Sequence, residues 1–310
     1  MELWALQKAG EIFPWPVRSH KEMVEVQTIR HKTSRFKNNA LFAAEYNLAV
    51  EELLEIYTDD SPYAITMRLP GDDINLVTGF CFTEGIIGSR DDLLSIRHCE
   101  ATPGERRVLV YLDRKRSCNT VNIERRREYL SKSSCGLCGK SEADEIYCES
   151  PPVKTFHKMS LGDLLMFKQS FETRQTIFPL TGSTHSASLF GLRRNLLAFA
   201  EDIGRHNAFD KVIGALVNED KTRKAFLAIV SSRLSFEMVQ KAGVLGLEIL
   251  AGISAPTSMA VEMADRLNIT LIGFLRENSM SIYTHLKRIL TSPLNSTEPA
   301  AVNHARVPLA

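Results

Sequence analysis

Four short apolar runs separated by three helix-like segments fill the second half of the chain and restrict its fold more than any other feature. The runs are Leu196–Ala200, Ala225–Val230, Leu247–Ile253 and Thr270–Phe274. Between them, about Asn207–Val217, Phe236–Val244 and Ser258–Leu267 read as helices. Strand and helix alternating in this way predict helices laid over a largely parallel sheet. Upstream, Ser160-Leu161-Gly162-Asp163 reads as a capping box that opens another helix through about Phe171.

The polar clusters of this half fall where the runs end. The first leads into Glu201-Asp202-Ile203-Gly204-Arg205-His206-Asn207 and the second into Ser231-Ser232-Arg233-Leu234-Ser235. Ser254-Ala255-Pro256-Thr257 follows the third, and Arg276-Glu277-Asn278-Ser279 lies just beyond the fourth. In open α/β sheets ligands bind outside the carboxyl ends of the strands, where helix N-termini also point their free N–H groups. Four clusters on one edge therefore read as one site, and Arg205, Arg233 and Arg276 suit an anion, most simply a phosphate. His185, after the glycine loop Thr181-Gly182-Ser183-Thr184, is by itself as readable as a loop histidine as a site residue. The Ser254–Thr257 cluster needs no function, because a proline beside a Ser or Thr cap is ordinary at a helix start.

The first half has a different rhythm. From about Glu22 to Glu128 strand-like runs such as Ala64–Leu69 and Val108–Leu112 surround one helical segment, Ile74 to Ile87. The expected organisation is an irregular N-terminus (1–20), a small α+β domain (21–130), a mobile loop (131–150), a layered α/β domain (151–290) and a frayed tail (291–310). The fold class is α/β, or α+β taken overall. A chain of 310 residues is long enough for two domains. Its net charge of +1 leaves no global footprint for nucleic acid or membrane. No apolar run approaches the roughly 20 residues that span a bilayer. The first residues lack the pattern of an export signal, so a cytoplasmic location is expected.

Ser134-Cys135-Gly136-Leu137-Cys138-Gly139 puts two thiols at C-x-x-C spacing in a segment with almost no apolar content. Lys132 and Lys140 nearby favour thiolate. Three chemistries compete for this pair. Zinc would require two more ligands, and Cys118 and Cys148 flank at spacings that match no standard pattern. A thioredoxin-like redox pair sits at a helix start after a strand, and no strand-like run precedes Cys135. A sulfur-accepting nucleophile on a mobile arm fits the composition best, with no metal expected. Cys81 and Cys99 lie in apolar patterns and read as core.

Several of these motifs, in order, resemble the FdhD/NarQ-type formate dehydrogenase accessory sulfurtransferase family. They are Gly79-Phe80 with Thr83-Glu84-Gly85-Ile86-Ile87, the C-x-x-C run, Thr181–Ala187, Glu201–Lys211, Arg233–Met238, Ser254–Thr257 and Gly273–Arg276. Ser183 and Ser232 stand where the family more often has glycine, and Glu277-Asn278 departs from it as well. The resemblance implies a sulfur carrier that takes persulfide sulfur from a cysteine desulfurase, with Cys135 and Cys138 as the sulfur-handling residues. That sulfur goes to the molybdenum cofactor with two guanine dinucleotide arms destined for the formate dehydrogenase catalytic subunit. It further implies a cytidine-deaminase-like C-terminal domain, a homodimer, and a guanine nucleotide pocket for which GDP is a mimic. The pocket residues expected are Phe274, Leu275, Arg276, Glu277, Asn278 and Ser279, with His185, Arg205, His206, Asn207 and Arg233.

Two other functions compete. A zinc deaminase would require an H-x-E motif and a P-C-x-x-C pair. Here Ser186-Ala187 follows His185, and Ser134 precedes Cys135. A non-catalytic chaperone for apo-formate dehydrogenase would keep its effect without the two cysteines.

Overall fold

The computed structural model describes residues 27–99, 106–113 and 150–290. The C-x-x-C pair, Cys118 and Cys148 lie outside them, as do both chain ends.

The first half opens with a two-stranded ribbon of β1 (Thr28–Lys37) and β2 (Ala40–Ala49). Its turn residues Asn38 and Asn39 have φ of 50° and 62°, the left-handed pair that a type I′ hairpin requires. Strands β3 (Glu52–Thr58), β4 (Ser61–Arg68), β5 (Leu93–His98) and β6 (Arg107–Leu112) form a second sheet in the order β4-β3-β6-β5. Helix α1 (Asp73–Thr83) crosses over it and buries Leu76, Val77 and Cys81.

The second half opens with the short strand β7 (Met159–Ser160), paired in parallel with Ile289–Leu290, and is built on a six-stranded sheet. Its strands are β8 (His185–Gly191), β9 (Leu196–Asp202), β10 (Ala225–Val230), β11 (Ile249–Gly252), β12 (Thr270–Gly273) and β13 (Ser281–Ile282). They lie in the order β13-β12-β11-β10-β8-β9. The pairings β10 with β11 and β11 with β12 are parallel, whereas β8 is antiparallel to both β9 and β10. The sheet is therefore mixed, and β8 is a strand that the apolar runs did not predict. Because β8 reverses direction between them, β9 still points the same way as β10, β11 and β12. All four carboxyl ends meet on one edge, and β8 begins there.

Helices α2 (Leu161–Glu172), α3 (Phe178–Thr181), α4 (Arg205–Asn218), α5 (Phe236–Leu245) and α6 (Ser258–Arg266) complete this half. The expected cap is present on α2, where Asp163 N–H donates to Ser160 Oγ at 3.1 Å. Side chains alternate across the sheet as the pleat requires. Leu227 and Ile229 of β10 face a core with Phe167 and Phe171 of α2. Ala228 and Val230 face a larger core built with α4, α5 and the first-half strands. That larger core runs without a break from Leu54 and Val108 to Phe209 and Val239.

The two halves touch most closely where α1 crosses α4. A Cβ added at Gly79 would lie 1.9 Å from the Asp210 carbonyl oxygen, and one at Gly214 would lie 1.8 Å from that of Asn75. Only glycine permits this backbone approach. Beside the crossing, Lys241 Nζ bonds both carboxylate oxygens of buried Asp210 at 2.8 Å and Thr83 Oγ1 at 2.7 Å. Burial first, then Asp210 and Glu84, pushes the Cys81 thiol up to about 12, so this cysteine is chemically inert core. Cys99, also expected in the core, is only half-buried. Among the described residues no helix is long and apolar enough to cross a membrane.

Candidate functional site

The carboxyl edge of the large sheet is assembled from segments that leave four different strands. β9 ends at Asp202, which is fully buried and ion-paired with Lys211 Nζ at 2.8 Å. Its two oxygens also accept from the backbone of Leu69 and Gly204 and from Asn207 Nδ2. Asn207 further donates to the Met67 carbonyl at 2.8 Å. Asp202, Asn207 and Lys211 thus spend their polar atoms tying β9 and α4 to the end of β4. Glu201 is similarly committed. It accepts from the N–H groups of Thr176, Ile177 and Phe178 and from Thr184 Oγ1, at 2.7–3.1 Å. Those bonds fix the start of α3 and the loop that enters β8.

What remains is cationic. Arg205 opens α4, and its Nε is buried without a hydrogen-bond partner among the described residues. Arg233, after β10, is exposed; its carbonyl accepts from Ser232 Oγ at 3.0 Å, and its guanidinium makes no hydrogen bond among the described residues. His185 stands at the start of β8, register-paired with Asp202, and its Nδ1 lies 3.4 Å from Ser231 Oγ. Burial holds the His185 imidazole below the ordinary histidine value, and the charges of Arg205, His206 and Arg233 lower it further. The charges of Arg205, His206 and Arg233 thus reach His185. Helices α4, α5 and α6 all begin on this edge and add the positive ends of their dipoles.

Three residues absent from the expected set belong here. Glu237 Oε2 lies 3.2 Å from His206 Nε2 and accepts from Ser235 Oγ at 3.0 Å. The His206 contact is the main reason its carboxyl sits below the usual range, against the opposing effect of burial. Ser231 Oγ accepts from the Ser186 N–H at 2.9 Å, which positions it beside His185. The signal for Ser235 and Glu237 was Ser-Phe-Glu at a helix start that follows a strand end.

The wall after β12 is only partly as expected. Phe274 takes a left-handed φ of 51°, and the chain turns so that Leu275 is buried in the α2-side core. Leu275 thus lines no surface. Arg276 is exposed, but its Nη1 already donates to the carbonyls of Ile253 and Leu275. Glu277, Asn278 and Ser279 are exposed in the turn, where the Ser279 carbonyl accepts from Arg276 N–H at 2.8 Å. Ser254–Thr257 is structural: Leu234 N–H donates to Ala255, and the Thr257 side chain caps α6. Among the described residues no group of three metal-ligating side chains forms.

Three comparisons place the chain. The FdhD/NarQ family profile matches residues 49–290. A sulfur carrier protein FdhD from Mycolicibacterium paratuberculosis is 38% identical over 276 residues, covering 84% of this chain and 98% of that one. One of the same name from Sulfolobus acidocaldarius is 36% identical over 85% of this chain and 99% of its own length. A crystal structure from Desulfotalea psychrophila, described as a candidate formate dehydrogenase accessory protein, aligns with a TM-score of 0.69 at 22% identity. It covers 85% of this chain and 100% of that one, which is a likeness of fold alone. With a family match over most of its length and relatives of more than one-third identity, the chain belongs to the FdhD/NarQ family.

Proposed function

We propose that this protein is a sulfur carrier in the maturation of formate dehydrogenase, and that the carboxyl edge of its large sheet holds the nucleotide arm of the molybdenum cofactor that receives the sulfur. The observation that supports this reading best is the charge imbalance at that edge. Arg205, Arg233 and His206 lie close enough to His185 for their charges to act on it, and Glu237, bonded to His206 and Ser235, is the carboxylate there among the described residues that is tied neither to backbone amides nor to a lysine. A pyrophosphate supplies the missing negative charge and an acceptor for the Arg205 Nε. GDP is the simplest soluble mimic of that arm.

In this reading the Cys135 thiolate attacks the outer sulfur of a desulfurase persulfide. The old S–S bond breaks, the desulfurase cysteine leaves as thiolate, and Cys135 carries the persulfide. Cys138 assists on the same arm. His185 and the His206–Glu237 pair orient the bound cofactor. The C-terminal part is proposed to be cytidine-deaminase-like, consistent with its mixed sheet covered on both faces. A small N-terminal domain, a cytoplasmic location, a homodimer and no resident metal complete the proposal. The partners are a cysteine desulfurase and the formate dehydrogenase catalytic subunit.

Intact-protein mass after incubation with a cysteine desulfurase and cysteine tests the sulfur step. We expect one added sulfur on the native chain and none on Cys135→Ala. Full loading of Cys135→Ala, with loss in Cys138→Ala instead, would reverse the two roles. Loading of neither native chain nor variant would remove the carrier function and leave a chaperone.

A further inference from the structure

Two ion pairs join α4 to α5, and their spacing puts them in one register. His206 and Asp210 are four residues apart on α4, as are Glu237 and Lys241 on α5, so each couple shares a face of its helix. At the outer rung, in the candidate site, His206 Nε2 lies 3.2 Å from Glu237 Oε2. One turn deeper, Lys241 Nζ lies 2.8 Å from both carboxylate oxygens of Asp210. This inner rung is buried and saturated. Lys241 also donates to Thr83 Oγ1 at 2.7 Å, and the Thr83 hydroxyl donates to Asp210 Oδ1 at 2.9 Å. An ammonium has three donors, and here each has an acceptor.

Stability alone does not explain such a pair. Taking two charges out of water offsets most of their attraction, and apolar residues of similar volume often hold a core as well or better. Burial accordingly pushes the Asp210 carboxyl up, against the opposing effect of Lys241 and Thr83. What the pair has and an apolar contact lacks is direction. Helices α1 and α4 are locked together by their glycine crossing, whereas α5 meets each of them far less closely. We infer that Thr83, Asp210 and Lys241 are positioning residues for the candidate site: the inner rung sets the register of α5 along α4 and so holds Glu237 on His206. The first half of the chain takes part through Thr83, the last residue of α1. The effect on a ligand rests on the nucleotide reading proposed above; the register does not.

Carbon NMR on Glu237 and calorimetry with GDP, both on the full chain, test this together. One variant makes the rung apolar, Thr83→Val with Asp210→Leu and Lys241→Met, and removes one charge of each sign. Its melting transition should stay within about 5 °C of the native one. His206 first, then Ser235 and Arg205, hold the Glu237 carboxyl down against burial. With the register lost, that carboxyl should rise toward the ordinary glutamate value of about 4.3. GDP affinity should fall about three- to tenfold, and adding Glu237→Gln should then change it by less than about twofold. A second variant, Asp210→Glu, keeps both charges and lengthens the rung by one methylene. A smaller rise of the Glu237 value there reports geometry and not charge, and it decides alone if the apolar variant does not fold. A Glu237 value that stays native in Asp210→Glu, or in the folded apolar variant, overturns the inference. So does a native GDP affinity in a variant whose Glu237 has moved. A native chain that binds no GDP, while Glu237 still moves with the rung, leaves the register standing and removes the nucleotide reading.

Discussion

The two edges of the six-stranded sheet use the same residue types to opposite ends. On the amino edge Arg288 is fully buried, with Glu248 Oε2 at 3.4 Å, Thr270 Oγ1 at 3.3 Å and the Thr155 carbonyl at 3.2 Å. Its guanidinium stacks 4.8 Å from the Phe156 ring. Glu248 accepts in addition from the backbone and ring of His157, at 2.7 Å and 2.6 Å. Burial pushes that carboxyl up, yet the bonds from His157 outweigh it and hold it below the usual range. Every charge there has a partner, and the cluster pins residues 155–157 to the short helical turn at Leu286–Arg288. On the carboxyl edge Arg205 keeps an unpartnered Nε and Arg233 reaches into solvent. A closed arginine cluster is architecture. The open one is where the proposed anion would bind.

The largest expected effect tests the closed edge. Arg288→Ala leaves Glu248 buried against an empty space, which costs about 3–5 kcal/mol. Thermal unfolding should show a drop of about 10 °C. Arg233→Ala, at the open edge, should stay within about 0.5 kcal/mol of the native protein. Comparable losses in both variants would erase the distinction between the edges.

A smaller effect separates ligand orientation from stability. Glu237→Gln keeps a hydrogen-bond acceptor for Ser235 but removes the negative charge beside His206. GDP affinity should change by about three- to tenfold, roughly 1 kcal/mol, and the pH dependence of binding should shift. An unchanged pH profile would make Glu237 a helix-start residue and nothing more.

The smallest effect is read by proton NMR on His185. Its folded-state value lies below that of a free histidine, so the imidazole is neutral at neutral pH and its protonation disfavours the folded state. The associated loss of stability begins as pH falls through the unfolded value, about 6.5. A bound phosphate offsets the arginine charges and favours the imidazolium, so GDP should raise the His185 value. Affinity for GDP should accordingly rise as the pH is lowered from about 7.5 toward about 5.5, one unit either side of an ordinary histidine. A His185 titration that GDP leaves unmoved would place the ligand elsewhere.

Much of this arrangement was legible in the sequence. The apolar runs at Leu196, Ala225, Leu247 and Thr270 marked the four strands that end on this edge, three of which lead into an arginine, and the clusters after them marked the edge. Strand β8 was not legible, because Ser186 and Ser188 break the apolar pattern. Buried, they are satisfied by Gln175 and by the Ile229 carbonyl, partners distant in sequence. Asn207 read as a ligand residue because a polar side chain at a strand end looks the same whether it faces solvent or ties β4 to α4. Leu275 was misplaced by a single left-handed residue, Phe274, which swings the next side chain into the core. The ribbon left no periodic trace, since β1 is polar along most of its length.

Isothermal calorimetry with GDP tests the open edge most directly. The native protein should bind, and Arg205→Ala and Arg233→Ala should each lose about 10- to 100-fold in affinity, the 1.5–3 kcal/mol of a hydrogen bond to a charged group. Arg193→Ala should bind as the native protein does, because Arg193 is exposed in the β8–β9 turn at the other edge. Equal affinity in all three variants, or no binding by the native chain, would contradict the assignment of the carboxyl edge as the nucleotide site.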